Sequence, residues 1–217
     1  MKTLCLFDLD GTLTDSKPGI IHSATYALTA AGITSSNYSG AQDFLIGPPL
    51  REALRLIHPF SDAEVEEVVK KYREYYSQKG MYENTVYPGI MELLQKLQDK
   101  GITMAIATSK AITFAKLIAQ HFMFASFFDV IMGAEPDGTR ERKSEVITTA
   151  LDQLGGKDKF QKIIMIGDRE HDIIGAKETG IDSIGVTWGY GSMQEFEAAG
   201  AKTIVSTAEE LYCKIMK

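Results

Sequence analysis

The sequence predicts an α/β fold, a parallel sheet covered by helices on both faces, with a group of helices inserted after the first strand. Three observations predict it. Short apolar, β-rich runs recur along the chain, and stretches with helical periodicity separate the later ones. From Pro18 to about Lys79 the spacing is helical and no strand is recognisable.

The elements follow in order. TLCLF (3 to 7) is the first strand. Ile20, Ala24, Ala27, Leu28 and Ala31 then keep helical spacing behind Pro18, a residue suited to the first turn of a helix. Gly47-Pro48-Pro49-Leu50-Arg51 reads as a turn entering another helix. Val65, Val68, Val69, Tyr72 and Tyr76 form an apolar stripe, which fits the core of the inserted unit better than a dimer face. Tyr87-Pro88-Gly89 marks the return to the sheet. Residues 1–15 and 86–217 are therefore expected to form the core domain and 16–85 a helical insertion. Strands follow at ITMAIA (102 to 107), FDVIM (128 to 132), KIIMI (162 to 166), DSIGVTW (182 to 188) and TIV (203 to 205), with helices over 111 to 122 and 144 to 154 among them.

Composition narrows the function classes. The 217 residues are 44% hydrophobic, enough for a buried core and against disorder. Lys and Arg number 23 against 29 Asp and Glu, a net charge of −6 without a basic run, which argues against a nucleic-acid polymer or an anionic membrane as partner. Cys5 and Cys213 make neither a disulfide framework nor a metal spacing. No run approaches a membrane span, and MKTLCLFDLD is too short in apolar residues for a signal peptide. A cytoplasmic protein is expected.

In an open parallel sheet, ligands bind beyond the carboxyl ends of the strands. Asp8 and Asp10 follow the first strand; Thr108, Ser109 and Lys110 follow ITMAIA; Gly167 and Asp168 follow KIIMI, with Asp172 one helical turn on; Lys143 opens a helix. Asp8 and Asp10 share a strand face at roughly 6 to 7 Å and repel, so a cation or a shared proton is expected between them. Asp10-Gly11 alone is a turn signal and Asp168 alone a helix cap, but three acids at one sheet edge suit a hard oxygen-seeking cation such as Mg²⁺. Mg²⁺ with few protein ligands serves phosphate-bearing substrates. Thr108 and Ser109 then face an anion, or simply cap the next helix. Lys143 is a point charge for the transferring group, or a solvated lysine in TRERKSE. Lys110 either competes with Lys143 for that role or, the favoured reading, lies at the surface. His171 is expected to face solvent; Arg140 and Arg142 either contribute or, the usual reading, sit in a solvated charged turn.

Familiar alternatives fail. A calcium loop starting at Asp8 needs glycine where Leu13 stands. DGTRERKS has Asp137 and Arg142 in place of the two P-loop glycines. Gly189-Tyr190-Gly191 is followed by Gln194 where a dinucleotide fold needs its third glycine.

With these residues in view, the chain resembles the haloacid dehalogenase-like (HAD) phosphohydrolases, most closely the phosphoglycolate-phosphatase-like branch. D-x-D-G-T at 8 to 12, Thr108, Lys143 and GDREHD at 167 to 172 occur in the family's order. The resemblance implies a Rossmann-like core with a helical cap, and two-step phosphoryl transfer. Asp8 would attack phosphorus to form an aspartyl phosphate, and Asp10 would protonate the leaving group and later deprotonate water. Asp8, the main-chain carbonyl of Asp10 and Asp168 would hold Mg²⁺, with Asp172 supporting from behind. Thr108 would hold a phosphoryl oxygen and Lys143 would screen Asp8. The branch often has Lys-Pro where this chain has Lys143-Ser144. Arg51, in the expected cap, either binds a second anionic group or is an exposed arginine at a helix start.

The resemblance implies a Mg²⁺-dependent phosphatase for small phosphorylated metabolites, phosphoglycolate-phosphatase-like or 5'-nucleotidase-like, monomeric or homodimeric. Sugar phosphomutase and pyrophosphatase activity are the enzyme alternatives. A phosphoacceptor signalling module is the non-enzyme one, although that would place its acceptor on a later strand and carry no insertion.

Overall fold

A computed structural model describes residues 2–33, 45–46, 50–135, 137 and 139–217. The Gly47-Pro48-Pro49 turn lies outside the described residues. By its internal contacts the chain divides into two compact units, Met1–Asp15 with Val86–Lys217, and Ser16–Thr85.

The first unit is built on a six-stranded parallel sheet of β1 (Thr3–Phe7), β4 (Thr103–Ala111), β5 (Val130–Ala134), β6 (Lys162–Gly167), β7 (Asp182–Val186) and β8 (Ile204–Val205). The strand order is β5-β4-β1-β6-β7-β8. β1 pairs with β4 on one side, Leu4 opposite Thr103, and with β6 on the other, Leu4 opposite Ile163. The order reverses about β1, so the crevice at its carboxyl end is the place where such a sheet binds ligands. Leu4, Cys5, Leu6 and Phe7 are all fully buried, as a central parallel strand requires. Leu4 and Leu6 join a cluster with Val146, Ile147, Met165 and Ala176, while Phe7 meets the edge of the Phe128 ring at 6.0 Å between centroids. Burial pushes the Cys5 thiol up to about 12, which leaves it a small apolar side chain of the core.

Around the sheet lie α4 (Ile90–Asp99), α5 (Ile112–His121), α6 (Lys143–Gln153), α7 (Glu170–Thr179), α8 (Met193–Ala199) and α9 (Ala208–Ile215). One shifted boundary and one unforeseen element bear on the site. β4 runs on to Ala111, with a register irregularity against β5 between Ala107 and Ala111, so Thr108, Ser109 and Lys110 belong to a strand end and not to the loop after it. A two-stranded ribbon, β2 (Thr14–Asp15) with β3 (Thr85–Val86), was not foreseen, because two-residue strands carry no periodicity.

The second unit contains α1 (Lys17–Ala30), α2 (Leu50–Ile57) and α3 (Asp62–Gln78). Pro18 sits in the first turn of α1, and Ile20, Ala24, Ala27 and Leu28 are buried, whereas Ala31 falls just past the helix and is exposed. α3 opens with a capping box: the Ser61 hydroxyl accepts from the Glu64 N–H, and the Glu64 carboxylate accepts from the Ser61 N–H at 2.8 Å. Val65, Val68, Val69, Tyr72 and Tyr76 are the buried face of α3, and the last two stack with 5.4 Å between ring centroids. Among the described residues no helix is long and apolar enough to cross a membrane.

Candidate active site

The carboxyl end of β1 delivers Asp8 and Asp10 to the crevice. Asp8 N–H donates to the Ile166 carbonyl at 2.9 Å, which extends the sheet pairing one residue further and fixes the side chain. Gly11 then takes φ +80° and the chain turns. A side chain at position 11 would also run into the Asp168 carboxylate, so glycine is needed on both counts.

Two lysines meet the two acids. Lys143, the first residue of α6, is buried; its Nζ lies 3.0 Å from Asp8 Oδ1 and 2.8 Å from Asp172 Oδ1, and donates to the Ala107 carbonyl at 3.1 Å. Burial acts to lower its pKa, but the Asp172 and Asp8 carboxylates outweigh that and raise it, so it stays charged. Lys110 does not lie at the surface as expected. Its side chain is 7% exposed and its Nζ donates to Asp10 Oδ2. Its long stem reaches back along the strand end, which spacing alone does not reveal.

Asp168 is fully buried, accepting from the Thr12 hydroxyl at 3.2 Å and the Tyr190 N–H at 2.8 Å. It does not cap α7. Asp172 does so, accepting from the Arg169 N–H at 3.2 Å with one oxygen while the other faces Lys143. Thr108 is buried, its hydroxyl accepting from the Lys110 N–H at 3.3 Å, and Ser109 is half-buried beside it. His171 is half-buried.

Asp8, Asp168 and Asp172 offer oxygens that all lie within 4.8 Å of one another. Lys143 pairs with two of these three buried carboxylates, Asp8 and Asp172, and a divalent cation would balance the remaining charge. An all-oxygen donor set of this kind fits a hard cation. Burial first, then repulsion from Asp8 and Asp172, raises the Asp168 pKa well above the usual carboxylate range. Burial also raises Asp172, to about 6, against the pull of Lys143. Both groups are harder to ionise in the fold than in the unfolded chain. The contribution of these two groups to the stability of the metal-free fold is therefore largest at low pH and is lost as pH rises through about 6, the value for Asp172. A divalent cation bound at the cluster would oppose that loss, so Mg²⁺ is expected to raise the melting temperature more at pH 8 than at pH 5. Equal increments at the two pH values would contradict the cluster as a cation site.

A loop that the sequence did not mark as functional braces this site. After β7, Trp188 Nε1 donates to the Thr12 carbonyl at 3.0 Å, and the Tyr190 hydroxyl donates to Asp15 Oδ1 at 2.9 Å. A Cβ on Gly189 would collide with the Gly11 carbonyl and the Asp168 carboxylate. The Gly-Tyr-Gly signal was visible; its use, a close approach of backbone to an acid, was not.

The arginines stand elsewhere. Arg140, at φ +54°, donates to the Gly133 carbonyl at 2.9 Å and pairs with Glu135, so it pins its own turn and is not solvated as expected; Arg142 is exposed. In the second unit, Arg51 holds Glu66 with a two-pronged contact, Nε to Oε1 at 2.6 Å and a terminal N–H to Oε2 at 3.0 Å. It is neither an exposed arginine nor a guanidinium open to an anion in this state.

The sequence model described as haloacid dehalogenase-like hydrolase matches residues 5–186. A protein of Pseudomonas aeruginosa named 5'-nucleotidase is 45% identical over 193 residues, 89% of this chain and 86% of its own length. Tyrosine-protein kinase PtkA of Mycobacterium tuberculosis is 40% identical over 205 residues, 94% of this chain and 68% of its own length. The solved structure of a predicted phosphatase from Clostridium acetobutylicum superposes with a TM-score of 0.93 at 42% identity, covering 100% of this chain and 99% of that one.

Proposed function

This chain belongs to the haloacid dehalogenase-like hydrolase family, and from that premise we propose that it is a Mg²⁺-dependent phosphatase acting on small phosphate monoesters through an aspartyl phosphate on Asp8. The observation that carries this reading is Lys143, one buried cation held by both Asp8 and Asp172 at the edge where Asp10, Thr108 and Asp168 also end.

In this reading the Asp8 carboxylate attacks phosphorus, the ester P–O bond breaks, and Asp10 gives its proton to the departing oxygen. Asp10 then takes a proton from water, whose oxygen displaces phosphate from Asp8 and restores both carboxyl groups. Thr108 donates its hydroxyl to a phosphoryl oxygen, and Lys143 offsets the charge that gathers as an anionic ester meets Asp8. Asp8, the Asp10 carbonyl and Asp168 would hold Mg²⁺, with Asp172 keeping Lys143 in place. The metal supplies charge neutralisation to the phosphoryl group.

Substrate choice is assigned to the inserted helices of residues 16–85. A nucleoside 5'-monophosphate is the first candidate, since a close relative bears the name 5'-nucleotidase. A role for Arg51 in reading a second anionic group requires its fork on Glu66 to open. The test is phosphate release from p-nitrophenyl phosphate and from a panel of nucleotides, sugar phosphates, phosphoglycolate and pyrophosphate, with no nucleotide donor added to the other reactions. Release that stops with EDTA and returns with Mg²⁺ is expected. Release that persists in EDTA, or conversion of a sugar 1-phosphate without free phosphate, would overturn the proposal.

A further inference from the structure

The proposed reaction uses Asp10 twice, as acid and as base, and leaves open which of its oxygens carries the proton. The two are not equivalent. Oδ2 accepts from the Lys110 ammonium, whose side chain is 7% exposed, whereas Oδ1 is buried and has no hydrogen-bond partner. A buried oxygen without a partner costs free energy unless a ligand completes it. Lys110 also lies two residues beyond Thr108, its own N–H donating to the Thr108 hydroxyl, where the end of β4 departs from regular register. The two lysines of the site thus divide the acids: Lys143 on Asp8 and Asp172, Lys110 on Asp10.

We propose that Lys110 is a positioning residue, clamping Oδ2 of Asp10 so that Oδ1 is the oxygen that hands a proton to the leaving group. The inference rests on the reading of Asp10 as the acid–base group. Rotation about the terminal torsion of an aspartate is soft, and without a clamp the carboxyl group samples orientations in which neither oxygen faces the departing alkoxide. Held by the ammonium, it has one orientation. During ester cleavage the P–O bond breaks, its electron pair stays on the leaving oxygen, and the proton on Oδ1 moves to that oxygen. Oδ2 keeps its bond to Lys110 throughout.

The consequence depends on the leaving group. An alkoxide is too basic to depart without a proton, and general acid catalysis is worth roughly 10²- to 10⁴-fold for such steps. A p-nitrophenolate departs without one. The experiment measures kcat/KM, which reports the steps up to release of the leaving group, for an alkyl phosphate and for p-nitrophenyl phosphate. Lys110→Met is expected to lose about 10- to 100-fold on the alkyl ester and less than about threefold on the aryl ester. Lys110→Gln replaces it if the methionine variant does not melt cooperatively. Equal losses on both esters, or no loss on either, would overturn the proposal. Asp10→Asn separates the two levels of the argument. If it keeps its activity on the alkyl ester, the acid–base reading of Asp10 falls, and the positioning role with it. If it shows the alkyl-selective loss and Lys110→Met does not, only the positioning role falls.

Discussion

Asp8→Asn is expected to lower phosphate release by at least about 10³-fold, some 4 kcal/mol of transition-state stabilisation, while leaving the metal-free protein as stable as the parent or more so. The two halves of this expectation have different causes. Activity fails because an amide is no nucleophile towards phosphorus and the aspartyl phosphate cannot form. Stability holds because Asp8 is one of three buried carboxylates, and its charge raises the pKa of both Asp168 and Asp172. Removing it relieves repulsion, and Lys143 still has Asp172 at 2.8 Å. Phosphate release assays and thermal melts in EDTA check both halves. A variant within tenfold of the parent's activity would remove Asp8 from the reaction.

Lys143→Met has the opposite effect on stability. It leaves Asp8 and Asp172 buried with no opposing ammonium, and breaking a buried ion pair by removing one partner costs about 3–5 kcal/mol. Activity is lost as well, since nothing then offsets the charge on Asp8. The loss of stability should deepen with pH. Lys143 holds the Asp172 pKa down against burial, so in its absence that pKa rises above about 6 and ionisation in the fold becomes costlier. At pH 5 the carboxyl groups take up protons and the penalty shrinks; at pH 8 it is full. Urea melts of parent and variant at both pH values, without metal, test this. A stability difference that is the same at pH 5 and pH 8 would mean that Lys143 serves packing and not charge.

The sequence carried the site unevenly. Asp8, Asp10, Thr108 and Asp168 were legible because each stands where an apolar run ends, and a parallel sheet brings its strand ends to one edge. Asp172 and Lys143 were legible as helix-start residues. The division of labour was not. The rival reading of Asp168 as the cap of α7 does not hold, since its carboxylate is taken by Thr12 and Tyr190 and the capping passes to Asp172. Lys110 could be read as a rival to Lys143 or as a surface residue, but its pairing with Asp10 was not legible, because a flexible four-carbon stem reaches an acid that lies 100 positions away. Arg140 seemed a surface charge, yet a left-handed backbone and the Gly133 carbonyl turn it inwards. Periodicity reports which face of an element is buried and says nothing of where a long side chain or a bare N–H is aimed.

The brace formed by Trp188 and Tyr190 also has a bearing on how the molecule is made. Trp188 reaches a carbonyl 176 positions earlier, and the contact between Thr12 and Asp168 spans 156. β1, the earliest of the six strands in the sequence, finds both of its sheet neighbours only among later segments. Contacts of such separation form late and slowly, since the chain must close long loops before they return any stabilisation. Assembly of the acidic cluster therefore waits for β6 and the start of α7 to be synthesised, and a nascent chain that has not yet released residue 190 holds that cluster without the N–H from which Asp168 accepts.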